Sequence, residues 1–338
     1  MLTTRRGATF PPAGRPPPAP TTRFPPDRPP RACRRCWTEC VGWGNEQSFR
    51  EPAGVLVIEV EDLPELVDPV VIAAFEGWND AGEAATAVVE HLAQTWEAEP
   101  IAAIDPEEYY DFQVNRPRIG STDGVRRITW PTTRVMYAPR RAAGRDILLI
   151  QGIEPSTRWR SFVVELLSLA DEVDASMVLC LGSLLADVPH TRPLPVGTYS
   201  EDASLAHSLD LEPSTYEGPC GIVGVLADAS HQAEIPTISC WVSVPHYAGG
   251  TPSPKAALAL LDQVEELLDL RVPRGDLEDL SKAWERGVDE LAAGDDEVAE
   301  YVQALEQATD TAEHPEASGD AIAREFERYL RRRDEPGA

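Results

Sequence analysis

The sequence predicts an α/β protein: a mostly parallel, doubly wound sheet with helices on both faces, followed by an all-helical C-terminal extension. Three observations predict it. Short apolar runs alternate with segments of helical periodicity between residues 55 and 272. The runs are apolar throughout, as strands buried on both faces require, rather than alternating apolar and polar. Beyond Pro273 the strand signals stop, and the chain becomes acidic with helical spacing.

Taken in order, the elements begin after a segment of different character. Ten of the 31 prolines lie between Pro11 and Pro30, among Arg, Ala and Thr. Such a stretch cannot bury enough apolar surface to offset its ordering entropy. Residues 1–50 are therefore expected to be disordered, or to precede a true start near Val41 or Val55. Strands are expected at 55–60 (VLVIEV), 70–75, 101–104, 133–138, 146–151, 177–182 and 237–244. Helices are expected at 81–97, 157–173, about 219–232 and 254–270. Phe162, Leu166, Leu169 and Val173 show the helical spacing. Ser253 and Pro254 mark a helix start, as cap and first helical residue. The core domain is thus placed at 55–272 and the helical extension at 276–334. In the extension, Leu277, Leu280, Trp284, Val288 and Leu291 form one apolar stripe, and Val298, Val302 and Leu305 a second. Ile322, Phe326, Tyr329 and Leu330 form a third. These stripes must be buried, either on the chain's own core or in a subunit interface.

Composition narrows the function. The net charge of −27 is uneven: residues 1–50 hold nine Arg against three acids, so the remainder carries about −33. An acidic body disfavours nucleic acid and anionic membrane, which need clustered Lys or Arg. No apolar run approaches the length of a membrane span, and the N-terminus has no apolar signal-peptide core. Six Cys in 338 residues are no disulfide framework, so a cytoplasmic location is expected. Only Lys255 and Lys282 break an otherwise all-Arg usage, leaving little for a Schiff base or a phosphate-loop lysine. Cys33, Cys36 and Cys40 cluster without a fourth ligand, and Cys180 and Cys240 read as buried strand residues. No metal and no cofactor are expected.

Candidate site residues follow from the rule that ligands collect at the carboxyl ends of parallel strands. After 70–75 comes "EGWNDAG", with Glu76, Trp78, Asn79 and Asp80. Asn79 or Asp80 could equally cap the next helix, a reading that leaves Glu76 and Trp78 unexplained. After 146–151 come Glu154 and Arg158, which could meet an anion or form surface ion pairs. After 177–182 come Asp187, His190 and Arg192, and after 237–244 comes His246. Glu76, Asp187 and His190 are the candidate acid/base groups; Trp78, Asn79, Asp80, Glu154, Arg158, Arg192 and His246 are candidate binding residues. A Ser183-Asp187-His190 triad is disfavoured, since no G-x-S-x-G elbow surrounds Ser183. Asp187 and His190 could instead be structural loop residues.

Several strings together resemble the bacterial branch of the proteasome assembly chaperone 2 family. They are "PVVIAAFEGWNDAGEAATAVVEHL", "CLGSLLADVPHTRPLPV", "YEGPCGIVGVLADA", "PTISCWVSVPHYAGGTPSPKAALALL" and "WERGVDELAAGDDEVAEYVQALEQ". The resemblance covers roughly residues 55–332. It implies a fold similar to purine nucleoside phosphorylases and hydrolases, self-association into homo-oligomers, and protein partners such as proteasome subunits. Relatives that dock on proteasomes end in a hydrophobic–Tyr–any-residue tail; here the sequence closes "RRRDEPGA", so docking by that mode is not expected. Two functions are therefore weighed. One is a non-enzymatic, assembly-chaperone-like interaction protein. The other is a small-molecule hydrolase or nucleoside-phosphorylase-like enzyme using the strand-end polar cluster.

Overall fold

The computed structural model describes residues 58–60, 66–122, 124–142 and 144–311. The Pro/Arg-rich segment, the Cys33–Cys40 cluster, the start of the 55–60 run and the third apolar stripe lie outside the described residues. The chain runs β1 (Ile58–Val60), β2 (Val70–Glu76), α1 (Ala84–Thr95), β3 (Glu99–Ile104), α2 (Pro106–Tyr109), β4 (Arg118–Thr122) and β5 (Val125–Thr129). It continues through β6 (Arg134–Ala142), β7 (Arg145–Ile153), α3 (Trp159–Glu172), β8 (Met177–Ala186), β9 (Val196–Tyr199) and α4 (Ala203–Leu209). The last elements are α5 (Ile222–Gln232), β10 (Thr237–Pro245), α6 (Pro254–Leu268), α7 (Leu277–Ala293) and α8 (Asp296–Thr311).

Eight strands form one sheet in the order β1-β3-β6-β7-β2-β8-β10-β9, and β4-β5 stand apart as a hairpin. The four central strands β7, β2, β8 and β10 are parallel. Antiparallel strands extend them on both sides. The β6–β7 pairing is antiparallel for a plain reason. A parallel crossover needs about a dozen residues, and only a short turn separates these strands. β4, β5 and β9 are additional to the strands expected from apolar runs; β5 is exposed along its whole length and so carries no apolar run.

Burial on both faces is visible along β2. Val70, Ile72 and Ala74 face one core, which α1 and α6 cover. Val71, Ala73 and Phe75 face the other, with Phe162, Leu166 and Leu167 of α3 and Ile222 and Leu226 of α5. Each fully buried Leu, Ile or Phe contributes about 1.5–3 kcal/mol, so an uninterrupted apolar run is what this position in the sheet demands. α6 starts as its sequence predicts: the Ser253 hydroxyl accepts from Ala256 N–H, with Pro254 at the first position. Cys180 and Cys240 are buried in adjacent strands, where burial pushes both thiols up to about 12.

α7 packs against α6, and α8 against α7. The predicted stripe of α7 divides. Val288 is buried and Trp284 half-buried, whereas Leu280 and Leu291 are 52% and 54% exposed. Among the described residues, no helix is long and apolar enough to cross a membrane.

Candidate functional site

The chain runs from β2 to β7 on one side and then to β8 on the other, so the strand order reverses around β2. Open α/β sheets have their crevice at such a point, beyond the strands' carboxyl ends. A cleft of about 600 Å³ lies there, lined by Trp78, Asp80, Glu83, Glu154, Ser183 and Trp241 among others. A second, of about 520 Å³, shares Trp78, Asn79 and Trp241 with it.

The loop after β2 folds tightly. Gly82 takes φ +60, and a Cβ there would stand 2.9 Å from that of Ser253, so glycine suits both its conformation and its space. Asp80 is 7% exposed and caps α1: its Oδ1 accepts from the N–H groups of Ala85 (2.8 Å) and Thr86 (3.2 Å). Its other oxygen accepts from the Thr86 hydroxyl. Asn79 caps a different helix. Its Oδ1 accepts from Val223 N–H at 3.3 Å, at the start of α5. Glu154, beyond β7, completes that cap by accepting from Ile222 N–H at 2.9 Å and from the Trp78 amide. The residue preceding α5 is Gly221, which has no side chain to cap with. A Cβ there would lie 2.0 Å from Asn79 Oδ1 and 2.7 Å from Glu154 Oε1. Helix α5 thus borrows its cap from two strand ends, and glycine leaves the space for it.

Ser183 is fully buried. Its N–H donates to Asn79 O (2.8 Å) and its hydroxyl to Ala81 O (2.9 Å). These bonds tie the end of β8 to the loop after β2.

Burial sets the electrostatics. It raises the Asp80 carboxyl to about 6, against the hydrogen bonds from Thr86 and Ala85. Burial also raises Glu154, opposed by the Ile222 and Trp78 amides. Glu76, exposed at the end of β2, is raised by partial burial and the nearby charge of Glu83, with Arg118 of β4 pulling the other way. Because Asp80 holds its proton more tightly when folded, its contribution to stability is complete below about pH 3.8. That contribution is lost as the pH rises through about 6. The loss is on the order of 2–3 kcal/mol. Asp80→Asn keeps an acceptor for α1 and removes the charge. Urea unfolding at pH 4 and pH 7.5 should show the variant gaining on wild type by this amount at the higher pH; equal differences at both pH values would contradict it.

Asp187, His190, Arg192 and His246 gather elsewhere, against the C-terminal helices. His190 is 1% exposed; its Nδ1 lies 2.7 Å from Tyr247 Oη and its Nε2 3.0 Å from Asp289 of α7. Lys255 of α6 reaches both the His190 carbonyl and Glu285 of α7. Arg192 makes a forked pair with Asp310 of α8, at 2.8 and 2.9 Å. Asp187 accepts from Tyr301 Oη at 3.0 Å, and His246 Nδ1 lies 3.4 Å from that oxygen. Arg158, left-handed at φ 55, pairs with Glu108 and lies over the Tyr109 ring. The strand-end polar set therefore divides in two. Trp78, Asn79, Asp80 and Glu154 surround the clefts, while Asp187, His190, Arg192 and His246 fasten α7 and α8. Glu76, Asp187 and His190 line neither of the two clefts.

Sequence reasoning passed over Trp241, which lines both clefts from within a strand read as core. A signal was present: its register partner is Gly182, where a Cβ would come within 2.6 Å of the indole. It also passed over Gly221, whose meaning lies in residues more than 60 positions away.

Fold and site define an α/β protein with a mixed central sheet, whose strand-end carboxylates serve as helix caps beside an open cleft. The sequence profile of the PAC2 family matches residues 74–292, and the chain belongs to that family. A PAC2 family protein from Streptomyces avermitilis has 53% sequence identity and a TM-score of 0.66, over 70% of this chain and 100% of that one. The Mycobacterium tuberculosis proteasome-assembly chaperone homologue Rv2125 has 50% identity and a TM-score of 0.62, over 69% and 99%. Rv2714, an M. tuberculosis protein of unknown function, has 28% identity and a TM-score of 0.68, over 78% and 94%. No curated protein matches the chain.

Proposed function

We propose that this chain is a non-enzymatic, assembly-chaperone-like protein of the cytoplasm that acts on proteasome subunits and associates with further copies of itself. One observation carries the reading: the polar groups at the strand ends are engaged in holding the fold. Asp80, Asn79 and Glu154 cap helices, and His190, Arg192 and Asp187 fasten α7 and α8. A catalytic base needs hydrogen-bond reach to a substrate and a partner poised beside it; these groups are turned to the protein's own backbone and helices. Likeness to a proteasome-assembly chaperone homologue at 50% identity supports the choice of partner. The core at 55–272 then presents α7 and α8 as surface for partners.

The test is to add the purified chain to unassembled α- and β-subunits of a bacterial proteasome and follow particle formation on native gels. The expected result is core particle appearing several-fold faster, with the chain migrating in a subunit complex. Unchanged assembly and no shared complex would refute the reading.

A small-molecule hydrolase or nucleoside-phosphorylase-like activity is the second reading, favoured by the 600 Å³ cleft and by the Asp80 carboxyl in its lining, which burial raises to about 6. It requires a nucleoside or ester that raises the melting temperature of wild type and not of Asp80→Asn.

A further inference from the structure

The two clefts meet at Trp78, Asn79 and Trp241, which line both. Both tryptophans are half-buried. The Trp241 indole lies across Gly182 of β8: its Cε3 and Cζ3 are each 2.6 Å, and its Cδ2 2.9 Å, from where a Cβ at 182 would stand. Any side chain at 182 would displace the ring from this wall, so the glycine keeps an aromatic surface in the cleft.

The charge of the lining has one sign. Among the described residues, the first cleft is lined by Asp80, Glu83 and Glu154 and by no Lys, Arg or His. The second adds Glu201 and Asp228, against His231. Arg118 acts on the nearby Glu76 but lines neither cleft. An anionic ligand would meet like charge on entry.

The hydrogen bonding separates a cation from a neutral polyol. Asp80, Asn79 and Glu154 commit oxygens to backbone amides of α1 and α5. Oxygens so engaged have little capacity left for the directional bonds that ligand hydroxyls need. Their negative charge still acts through space on a cation. Burial raises the carboxyls of Asp80 and Glu154, and the charge of Glu76 adds to the rise at Asp80. Glu83 has no capping duty. It precedes α1 at φ 52 without bonding to that helix through its side chain, and it acts on Glu76 as a like charge. Indole rings and carboxylates around an open space suit a cation on an apolar stem, since the ring faces attract the charge and the stem packs on them.

We propose that the joined clefts bind an aliphatic polyamine. One ammonium lies among Asp80, Glu83 and Glu154, the carbon chain crosses Trp78 and Trp241, and a second ammonium lies toward Glu201 and Asp228. This site is additional to the protein surfaces assigned above. It is tested on the purified chain without proteasome subunits, so either reading can fail while the other stands.

The experiment is equilibrium dialysis of the full chain against radiolabelled spermidine, at physiological ionic strength with excess Mg²⁺ present to occupy diffuse negative charge. Wild type should show a single saturable class of site. Glu83→Gln should weaken binding about fivefold, by removing a charge that caps no helix. Glu266→Gln, an exposed acid of α6 outside both clefts, should leave binding unchanged. Trp78→Leu should weaken binding about fivefold or more, and Trp78→Phe, which keeps a ring face, should recover most of it. The proposal is overturned if Mg²⁺ abolishes binding or if Glu266→Gln weakens it as much as Glu83→Gln. It is overturned equally if Trp78→Leu binds as wild type does, or if phenylalanine at 78 is no better than leucine. Displacement of spermidine by a neutral sugar would assign the clefts to polyols and contradict it too.

Discussion

Replacing Gly221 by alanine should destabilise the folded chain by roughly 3–5 kcal/mol. The backbone itself accepts alanine, since Gly221 has φ −92. What the methyl group meets is the cap of α5. It would stand 2.0 Å from Asn79 Oδ1, 2.6 Å from Asn79 Cγ and 2.7 Å from Glu154 Oε1. One of these side chains must leave, and with it go bonds to Val223 and Ile222 N–H at a buried helix start. A lost cap costs about 1 kcal/mol and overpacking about 1–3. Leaving the buried amides unsatisfied adds about 1–3 more, and the terms overlap. Gly250→Ala is the control, because a Cβ there meets nothing within 4 Å. Urea unfolding should show a large loss for Gly221→Ala and less than about 1 kcal/mol for Gly250→Ala. Similar losses in both would remove the borrowed cap from the account.

The second large effect is expected at His190. Truncation to alanine empties a buried site and deletes the bonds to Tyr247 and Asp289. It should cost about 2–4 kcal/mol. The more specific consequence is local. His190 stands beneath α7, edge-on to Trp284 with ring centroids 6.4 Å apart, and its carbonyl holds Lys255, which reaches Glu285. Amide exchange in α7 and α8 should therefore rise well above that in β2 and β8. Arg192→Ala, on an exposed pair, should loosen α8 alone and cost less than about 1 kcal/mol globally. Uniform exchange across the chain in His190→Ala would mean the histidine is ordinary core and fastens nothing in particular.

Much of the fold was legible, and the reason is physical. A strand buried on both faces must be apolar at every position, as "VVIAAF" is, and a helix lying on it must repeat its apolar residues at 3.6, as Phe162 to Val173 do. The hairpin carries neither signal. Its apolar residues Ile119, Val125 and Ile128 are separated by Arg, Gly and Ser, because no core lies under either face. The antiparallel β6–β7 pair was readable in principle, since no crossover fits between 138 and 146. For the site, the sequence placed the polar residues at the strand ends but could not show which way each turns. Asn79 and Asp80 are neighbours, yet one caps α5 and the other α1. Asp187 and His190 are three residues apart, and both turn to the C-terminal helices. Such assignments depend on contacts between residues up to 144 positions apart, which local pattern does not encode.

The central claim is that the cleft carboxylates hold helices and that function resides in protein surfaces. Its most direct test is the chain carrying Asp80→Asn and Glu154→Gln together, in the proteasome assembly assay. Both changes keep an oxygen acceptor for the helix amides and remove the ionisable groups an acid/base mechanism would need. The account predicts a folded variant that supports assembly at the wild-type rate. A folded variant that fails in this assay would contradict it.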